Sequence, residues 1–391
     1  MNKPAPKPEA PTADNGGKKQ GNLPYAPHFD HMVYVRVFEG CNLHCEHCFI
    51  PHNPKKMELR EIQQIAEVVP SFAPAGSSIM LQWHGGEPTM FGADWLREAM
   101  DAVEQAGPDY TWLHGIQTNL MSYDESWAQL YHDKFHSEVG VSWDPKIRLL
   151  RRGRPETNEQ YEEKFWRNWQ RVLDDGLNPY LTITATAEFF RYFSNPFGFF
   201  DFLEERGIRR VHLERITRTG YARENWERLG LDNLAYSKNM GRYLRAYVAW
   251  QKQHPERAGD FSVSPLDGLL HSAKALAENT VGGYGCWSGH CDTTFHTFDA
   301  SGYKRGCTAL TSEYDNSRAG DTVLEFPDFV SERKERQFNC GSCEFRKICS
   351  TGCLALDIED GSGECSGGYK LFSAASEMIA HMPGMEKVSA E

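Results

Sequence analysis

The sequence predicts an α/β fold built on a parallel sheet, with a cysteine-rich region attached at its carboxyl end. From Met32 onward, short strand-like runs take turns with amphipathic stretches six times over, and eight of the eleven cysteines lie beyond residue 285. Six such repeats fit either a partial barrel or a doubly wound sheet. In both architectures functional groups collect at the carboxyl ends of the strands.

The elements follow in order. Residues 1–30 carry Pro4, Pro6, Pro8, Pro11, Pro24 and Pro27 among small polar residues, so they are expected to form a disordered tail. Val33, Val35 and Val37 share one face of a first strand. A cysteine loop follows, then a helix over 58–69. A strand over 78–83 leads into His84-Gly85-Gly86-Glu87-Pro88 and a helix over 93–105. Further strands are expected over 112–117, 138–143, 180–187 and 209–216, with helices over 123–135, 158–174 and 196–205 between them. A bridging helix is expected over 234–253. Tyr161, Phe165, Trp169 and Val172 recur at helical spacing, which reads as packing against the sheet. Lys146, Arg148, Arg151, Arg152 and Arg154 read as a solvated loop, with docking of an acidic peptide as the sharper alternative.

Composition narrows the function. At 391 residues two or more domains are the better expectation, and 40% apolar with 25% charged residues fits a folded soluble protein. A formal charge of −12 argues against a general phosphate-binding surface, and so against nucleic acid as a partner. No apolar run approaches the ~20 residues of a membrane span, and no signal peptide is visible. A cytoplasmic location with no membrane partner is expected. There, cysteines are more often metal ligands than disulfides.

Cys41, Cys45 and Cys48 stand in a C-x3-C-x2-C array directly after the first strand. Three close thiolates with no fourth nearby suggest an iron–sulfur cluster with one open iron, whereas zinc more often closes its tetrahedron. The decad Gly40-Cys41-Asn42-Leu43-His44-Cys45-Glu46-His47-Cys48-Phe49 resembles the signature of the radical SAM enzymes, with His47 at the usual aromatic place. The resemblance implies a 4Fe-4S cluster on the three cysteines and S-adenosyl-L-methionine on the fourth iron. Reductive cleavage would give a 5′-deoxyadenosyl radical that abstracts a substrate hydrogen. It also decides the architecture expected: a partial (β/α)6 TIM-type barrel.

The same resemblance assigns the cofactor contacts. Gly85-Gly86-Glu87-Pro88 resembles the motif that grips the amino group of S-adenosyl-L-methionine, and Gln117-Thr118-Asn119 and Ser142-Trp143-Asp144-Pro145 resemble polar strand ends of the sulfatase-maturase-like group. The cofactor-binding residues expected are therefore His47, Phe49, Gly85, Gly86, Glu87, Pro88, Asn119, Ser142 and Asp144. In isolation the polar strand ends would as readily be caps or Asx turns. Trp143 and Pro145 depart from the second pattern. On the sixth strand Glu214 or Arg215 faces the cavity, depending on register.

Cys286, Cys291, Cys307, Cys340, Cys343, Cys349, Cys353 and Cys365 remain, enough for two 4Fe-4S clusters or two zinc ribbons. Their layout resembles the SPASM extension of radical SAM enzymes. By that resemblance Cys286, Cys291, Cys307 and Cys353 hold one auxiliary cluster, and Cys340, Cys343, Cys349 and Cys365 the other, for three 4Fe-4S clusters in all. The expected division is a tail (1–30), a barrel (31–233), a bridging helical segment (234–285) and a SPASM domain (286–391).

Three and eight cysteines account for all eleven, so no thiol remains to return a hydrogen atom as radical epimerases commonly require. A net two-electron oxidation fits better. The resemblance implies a maturase acting on a peptide or protein substrate, forming a carbon–carbon, carbon–oxygen or thioether crosslink, supplied with electrons by a flavodoxin- or ferredoxin-type donor. The alternatives are formylglycine formation of the anaerobic sulfatase-maturase type and a noncatalytic electron carrier. Sulfatase maturases usually carry aspartate after the cysteine matched here by Cys307, where this sequence has Thr308, and threonine is no base near neutral pH. Glu87 and the polar strand ends weigh against a carrier, which has no need to grip a cofactor.

Overall fold

Period-two burial sets the sheet. The computed structural model describes residues 28–50, 55–257, 259–311 and 326–381, so residues 1–27 of the expected tail lie outside it. The chain runs through β1 (His31–Phe38), β2 (His44–Cys45), α1 (Leu59–Val68), β3 (Ser78–Gly85), α2 (Ala93–Ala106), β4 (Thr111–Thr118), α3 (Glu125–Lys134) and β5 (Glu138–Ser142). It continues through β6 (Arg148–Leu149), α4 (Thr157–Asp174), β7 (Asn178–Ala185), α5 (Ala187–Tyr192), α6 (Pro196–Glu205), β8 (Arg210–Arg215), α7 (Tyr221–Glu224), α8 (Trp226–Leu229) and α9 (Asn233–Gln253). The carboxyl-terminal part adds β9 (Ser262–Ser264), α10 (Leu266–Ala277), β10 (Phe295–Asp299), β11 (Gly302–Arg305), α11 (Phe326–Asn339) and α12 (Tyr369–Ala380).

Side-chain oxygens start several helices where the sequence supplies them. Asp124 caps α3 through the N–H groups of Ser126 and Trp127, Thr186 caps α5, Asn195 caps α6 ahead of Pro196, and Asp232 caps α9. Glu58 and Glu61 form a capping box on α1.

The sheet order is β11-β10-β1-β3-β4-β5-β7-β8-β9. The six expected strands are parallel and adjacent in chain order, without the reversal of a doubly wound sheet. All crossovers therefore advance in one direction, and the sheet curls into an open barrel with its helices outside. Val33, Val35, Val37, Ile79, Leu81, Trp83, Val139, Val141, Leu181 and Ile183 are fully buried in one cluster with helix residues such as Ile62, Ile65 and Leu96. Tyr161, Phe165, Trp169 and Val172 join that cluster, as packing requires. The alternate positions turn inward and, apart from residues such as Met80, Gly115 and Gly140, are polar: Tyr34, Arg36, Gln82, His84, Gln117, Ser142, Tyr180, Thr182, Thr184, His212 and Glu214. A polar lumen is a place for a ligand, whereas an apolar one would be core.

Two additions extend the sheet. β9 pairs parallel to β8, and β10 of the carboxyl-terminal hairpin pairs parallel to β1, so the sheet runs continuously past residue 286. Arg36, buried in β1, forms an ion pair with Asp299 on β10 and another with Glu39 at 3.3 Å. Among the described residues no helix is long and apolar enough to cross a membrane.

The seam between β1 and β10 carries a pH dependence. His296 has no exposed surface, stacks on Phe72 with centroids 3.6 Å apart, and lies 3.2 Å from His31 Nδ1 and 3.0 Å from the Tyr303 hydroxyl. Burial, with His31 and Arg305 nearby, lowers its pKa to about 3 from 6.5. Between these values the unfolded chain binds a proton there that the folded chain does not, so this contribution falls as pH drops from 6.5 toward 3. The melting temperature should therefore fall with acidification across this window more steeply in wild type than in His296→Gln. Parallel profiles would contradict the assignment.

Candidate active site

The cysteine loop is clamped from three sides. β2 pairs with β6, setting His44 against Leu149 and Cys45 against Arg148, and the Glu46 N–H donates to the Ile147 carbonyl at 3.0 Å. The segment after β8 closes the far side, where the Tyr221 N–H donates to the Cys48 carbonyl at 2.8 Å. Gly220 has φ +56°, and a Cβ there would lie 2.3 Å from that carbonyl, so only glycine allows the approach. Cys45 is buried while Cys41 and Cys48 are half-buried. Burial first, then the neighbouring thiols, pushes Cys41 well up, and burial takes Cys45 up to about 12. A cationic centre is what would draw these three off their protons.

The two glycines at the end of β3 seat the loop that follows on this one. The Gly86 N–H donates to the Phe38 carbonyl at 2.6 Å and the Glu87 N–H to the Gly40 carbonyl at 3.0 Å. A Cβ on Gly86 would lie 2.0 Å from the Gly40 oxygen. Glu87 is buried, and its carboxylate accepts from Thr89 N–H (3.1 Å), Thr89 Oγ1 (2.6 Å), Thr118 Oγ1 (2.8 Å) and Asn119 N–H (2.8 Å). Burial raises its pKa against the pull of these donors. It has no ion-pair partner among the described residues. Pro88, also buried, begins the short turn that follows. The Asn119 amide donates to Asn42 Oδ1 at 2.7 Å, with Cys41 Sγ 3.8 Å away, tying the end of β4 to the cysteine loop.

At the end of β5 the Ser142 hydroxyl accepts from Gln117 Nε2 at 2.7 Å. Asp144 has no exposed surface, and its carboxylate accepts from Arg148 Nε (2.8 Å) and Nη2 (2.7 Å), the Thr184 N–H (2.5 Å) and His47 Nε2 (3.2 Å). Arg148 also points Nη1 at Cys45 Sγ, 3.6 Å away. The basic run is thus divided: Arg148 is an internal anchor, while Arg151, Arg152 and Arg154 stay exposed. The signal was Asp144 and Arg148 at a spacing of four. Burial takes the His47 pKa down to about 4, so its ring is neutral near pH 7, and with Nε2 facing Asp144 its buried Nδ1 has no partner among the described residues. The Phe49 ring lies 6.1 Å from His84. Trp143 turns outward onto Trp166 (5.1 Å) and Phe202 (5.5 Å), so its departure from the expected motif lies in the core.

The register of β8 settles the sixth strand. Glu214 is level with Thr184 and faces the lumen, while Arg215 turns away to the Ser366 carbonyl (2.9 Å) and Asn233 Oδ1 (2.6 Å). His212 Nε2 meets Glu214 Oε2 at 2.8 Å, and its Nδ1 meets Ser264 Oγ on β9 at 3.1 Å. Both lie deep in the barrel yet keep 37% and 49% of their side-chain surface open to the lumen. Burial opposes the charge on each, but the mutual hydrogen bond and attraction outweigh it, raising the His212 pKa and lowering that of Glu214. His212 was not anticipated, because β9, its partner strand, is three residues long and has no strand signal of its own.

The carboxyl-terminal cysteines gather into two groups. The Cys286 thiol faces Cys353, which pushes Cys286 up and takes Cys353 down to about 7, while Cys307 interacts with Cys291 and Cys353. Arg333 Nη2 donates to Cys291 Sγ at 2.9 Å. Cys340, Cys343, Cys349 and Cys365 line one small cavity with Phe345 and Phe372. No three His, Cys, Asp or Glu side chains among the described residues converge closely enough for a single metal ion.

Comparison with known proteins agrees. Residues 35–165 match the radical SAM superfamily model. The serine-type anaerobic sulfatase-maturating enzyme of Klebsiella aerogenes is 21% identical over 369 residues, 90% of this chain and 86% of that one. The structure of native anSMEcpe with bound AdoMet and Cp18Cys peptide is similar with a TM-score of 0.61 and 18% identity, covering 88% of this chain and 95% of that one. Streptococcus suis SuiB bound to precursor peptide SuiA gives a TM-score of 0.52 at 15% identity, covering 85% and 74%. The cysteine-rich carboxyl-terminal region fits a SPASM-type domain. A domain of this superfamily works with S-adenosyl-L-methionine and a 4Fe-4S cluster. Residues 35–165 are thus a radical SAM domain, within a chain whose fold is similar to those of enzymes of this kind.

Proposed function

We propose that this chain is a peptide maturase that removes two electrons from a peptide side chain and forms a crosslink. S-adenosyl-L-methionine, cleaved on its cluster, supplies the 5′-deoxyadenosyl radical that takes the first hydrogen. Cys41, Cys45 and Cys48 would hold that cluster, Glu87 the amino group of the cofactor, and Asn119 and Ser142 its polar flanks. Gly85, Gly86 and Pro88 shape the Glu87 loop, and Phe49 bounds the site. Two features fit this ligand: among the described residues the buried carboxylate of Glu87 has no cation and the buried acceptor His47 Nδ1 has no donor. Asp144 would act through Arg148 and His47, keeping the cysteine loop in place.

The observation that carries the reading is the open polar lumen, with the cysteine loop at its mouth and the Cys286 and Cys353 pair within electrostatic reach of Glu214 on its wall. A carrier of electrons needs no such space. The two carboxyl-terminal groups of four cysteines would hold the auxiliary clusters, giving three 4Fe-4S clusters, with a flavodoxin- or ferredoxin-type donor and a cytoplasmic setting. Similarity to sulfatase-maturating enzymes across nine-tenths of the chain favours a second reading, formylglycine formation. Thr308 in place of aspartate weighs against it.

The test is an anaerobic preparation offered S-adenosyl-L-methionine, dithionite, and either Cp18Cys peptide or any short peptide found to be encoded beside the gene. We expect roughly twelve irons per chain, as three cubanes require, 5′-deoxyadenosine, and a peptide lighter by two hydrogens. An aldehyde in Cp18Cys would select the formylglycine reading. Zinc in place of iron, or no altered peptide, would sink the maturase reading.

A further inference from the structure

We infer that His212 and Glu214 together form the proton acceptor of this reaction, taking the X–H proton of the peptide nucleophile as the new bond closes. The inference rests on the maturase reading and deepens it. After loss of a hydrogen atom the peptide still has one electron and one proton to give up before it becomes product, and Thr308 offers no base. A group facing the same cavity must supply one.

The lumen face of the barrel narrows the choice. Tyr34 on β1, edge-on to His84 and Phe295, is a phenol whose pKa burial raises well above 10, which suits a donor more than an acceptor. Gln82, Gln117, Ser142, Thr182 and Thr184 carry no ionisable proton near neutrality, and Tyr180 is a second phenol, half-buried, whose pKa desolvation raises. His84 accepts from the Gly85 N–H through Nδ1 at 2.8 Å and faces the Arg36 charge, which works with burial against protonation. Asp144 is filled by Arg148, His47 and Thr184, and Glu87 by its four donors. Asp299 and Glu39 are paired with Arg36 and Glu138 with Arg210, so what is left is the carboxylate–imidazole pair, open to the lumen and steadied by Ser264 at 3.1 Å.

Its level in the barrel is right for the task. Glu214 pairs in register with Thr184, whose N–H holds the Asp144 that anchors the cysteine loop. It also lies within electrostatic reach of Cys286 and Cys353. A proton accepted at Glu214 is therefore taken up within electrostatic reach of the cysteines that would hold the electron acceptor. The step balances: one hydrogen atom passes to the nucleoside radical, one proton to the His212–Glu214 pair, one electron to an oxidised iron–sulfur cluster of the auxiliary cysteines, and one C–X bond forms. In the formylglycine reading X is the substrate's own thiol or hydroxyl, and the base is the same.

The experiment uses whichever of the two probes the wild-type enzyme modifies, Cp18Cys or the neighbouring peptide, deuterated at the carbon attacked. In Glu214→Gln and His212→Asn, product should fall about a hundredfold or more, the usual size of general-base catalysis. Deuterium should still pass into 5′-deoxyadenosine, and Glu214→Asp should recover much of the product. Undiminished product in Glu214→Gln overturns the assignment. So does loss of deuterium transfer in step with product, which would mean that the pair serves the fold or the cofactor. A wild-type enzyme that modifies neither probe removes the maturase reading, and this inference with it.

Discussion

Replacing Cys41, Cys45 and Cys48 together by alanine should abolish 5′-deoxyadenosine formation, while the far-ultraviolet circular dichroism stays that of the folded chain. The reason is local. The loop that carries the cysteines is held by backbone pairing to β6, by the Tyr221 N–H and by the Gly86 and Glu87 N–H groups, none of which needs a sulfur atom. The thiols can therefore be removed without removing the loop. Alanine substitution of Cys340 and Cys343 should act differently: 5′-deoxyadenosine persists and altered peptide disappears, because these two belong to the cavity shared with Cys349 and Cys365, remote in sequence from the loop. Liquid chromatography of the quenched mixtures reads both products at once. Equal loss of nucleoside and peptide product in the second variant would contradict this division of labour.

Arg148→Met should cost about 3–5 kcal/mol of folding stability, the usual effect of stripping one partner from a buried ion pair. Asp144 has no exposed surface, and two of its contacts come from the Arg148 guanidinium. Without that cation a carboxylate would be left in the interior with only a neutral imidazole and one backbone N–H. Denaturant unfolding of the apoprotein measures the loss. Combining Arg148→Met with Asp144→Asn should cost less than the sum of the single changes, because the second removes the charge that the first exposes. Additive costs would mean that the pair is not coupled.

Much of the site was legible before any coordinates. Motifs such as the three-cysteine array and Gly85-Gly86-Glu87-Pro88 are contiguous, so spacing alone brings their chemistry together. What spacing cannot give is the use of each group. Gly85 and Gly86 were read as cofactor contacts, and the structure adds that Gly85 lies against the Phe38 backbone and Gly86 against that of Gly40, with no room for a Cβ on either. Arg148 was read with its neighbours as solvated because a run of basic residues shows no face. Arg215 and Glu214 were alternatives until pairing with β7 fixed the register.

From its own sequence this chain determined six strand–helix repeats, the apolar outer face of each strand and the two sets of cysteines, since these depend on local periodicity and spacing. Tertiary structure alone decided that β9 and β10 extend the barrel sheet, that Asp144, Arg148 and His47 form one buried anchor, and that His212 meets Glu214 and Ser264 in the lumen. Each of these joins residues on separate elements, and nothing in a linear pattern states which edges will pair or which polar groups must satisfy one another once water is gone.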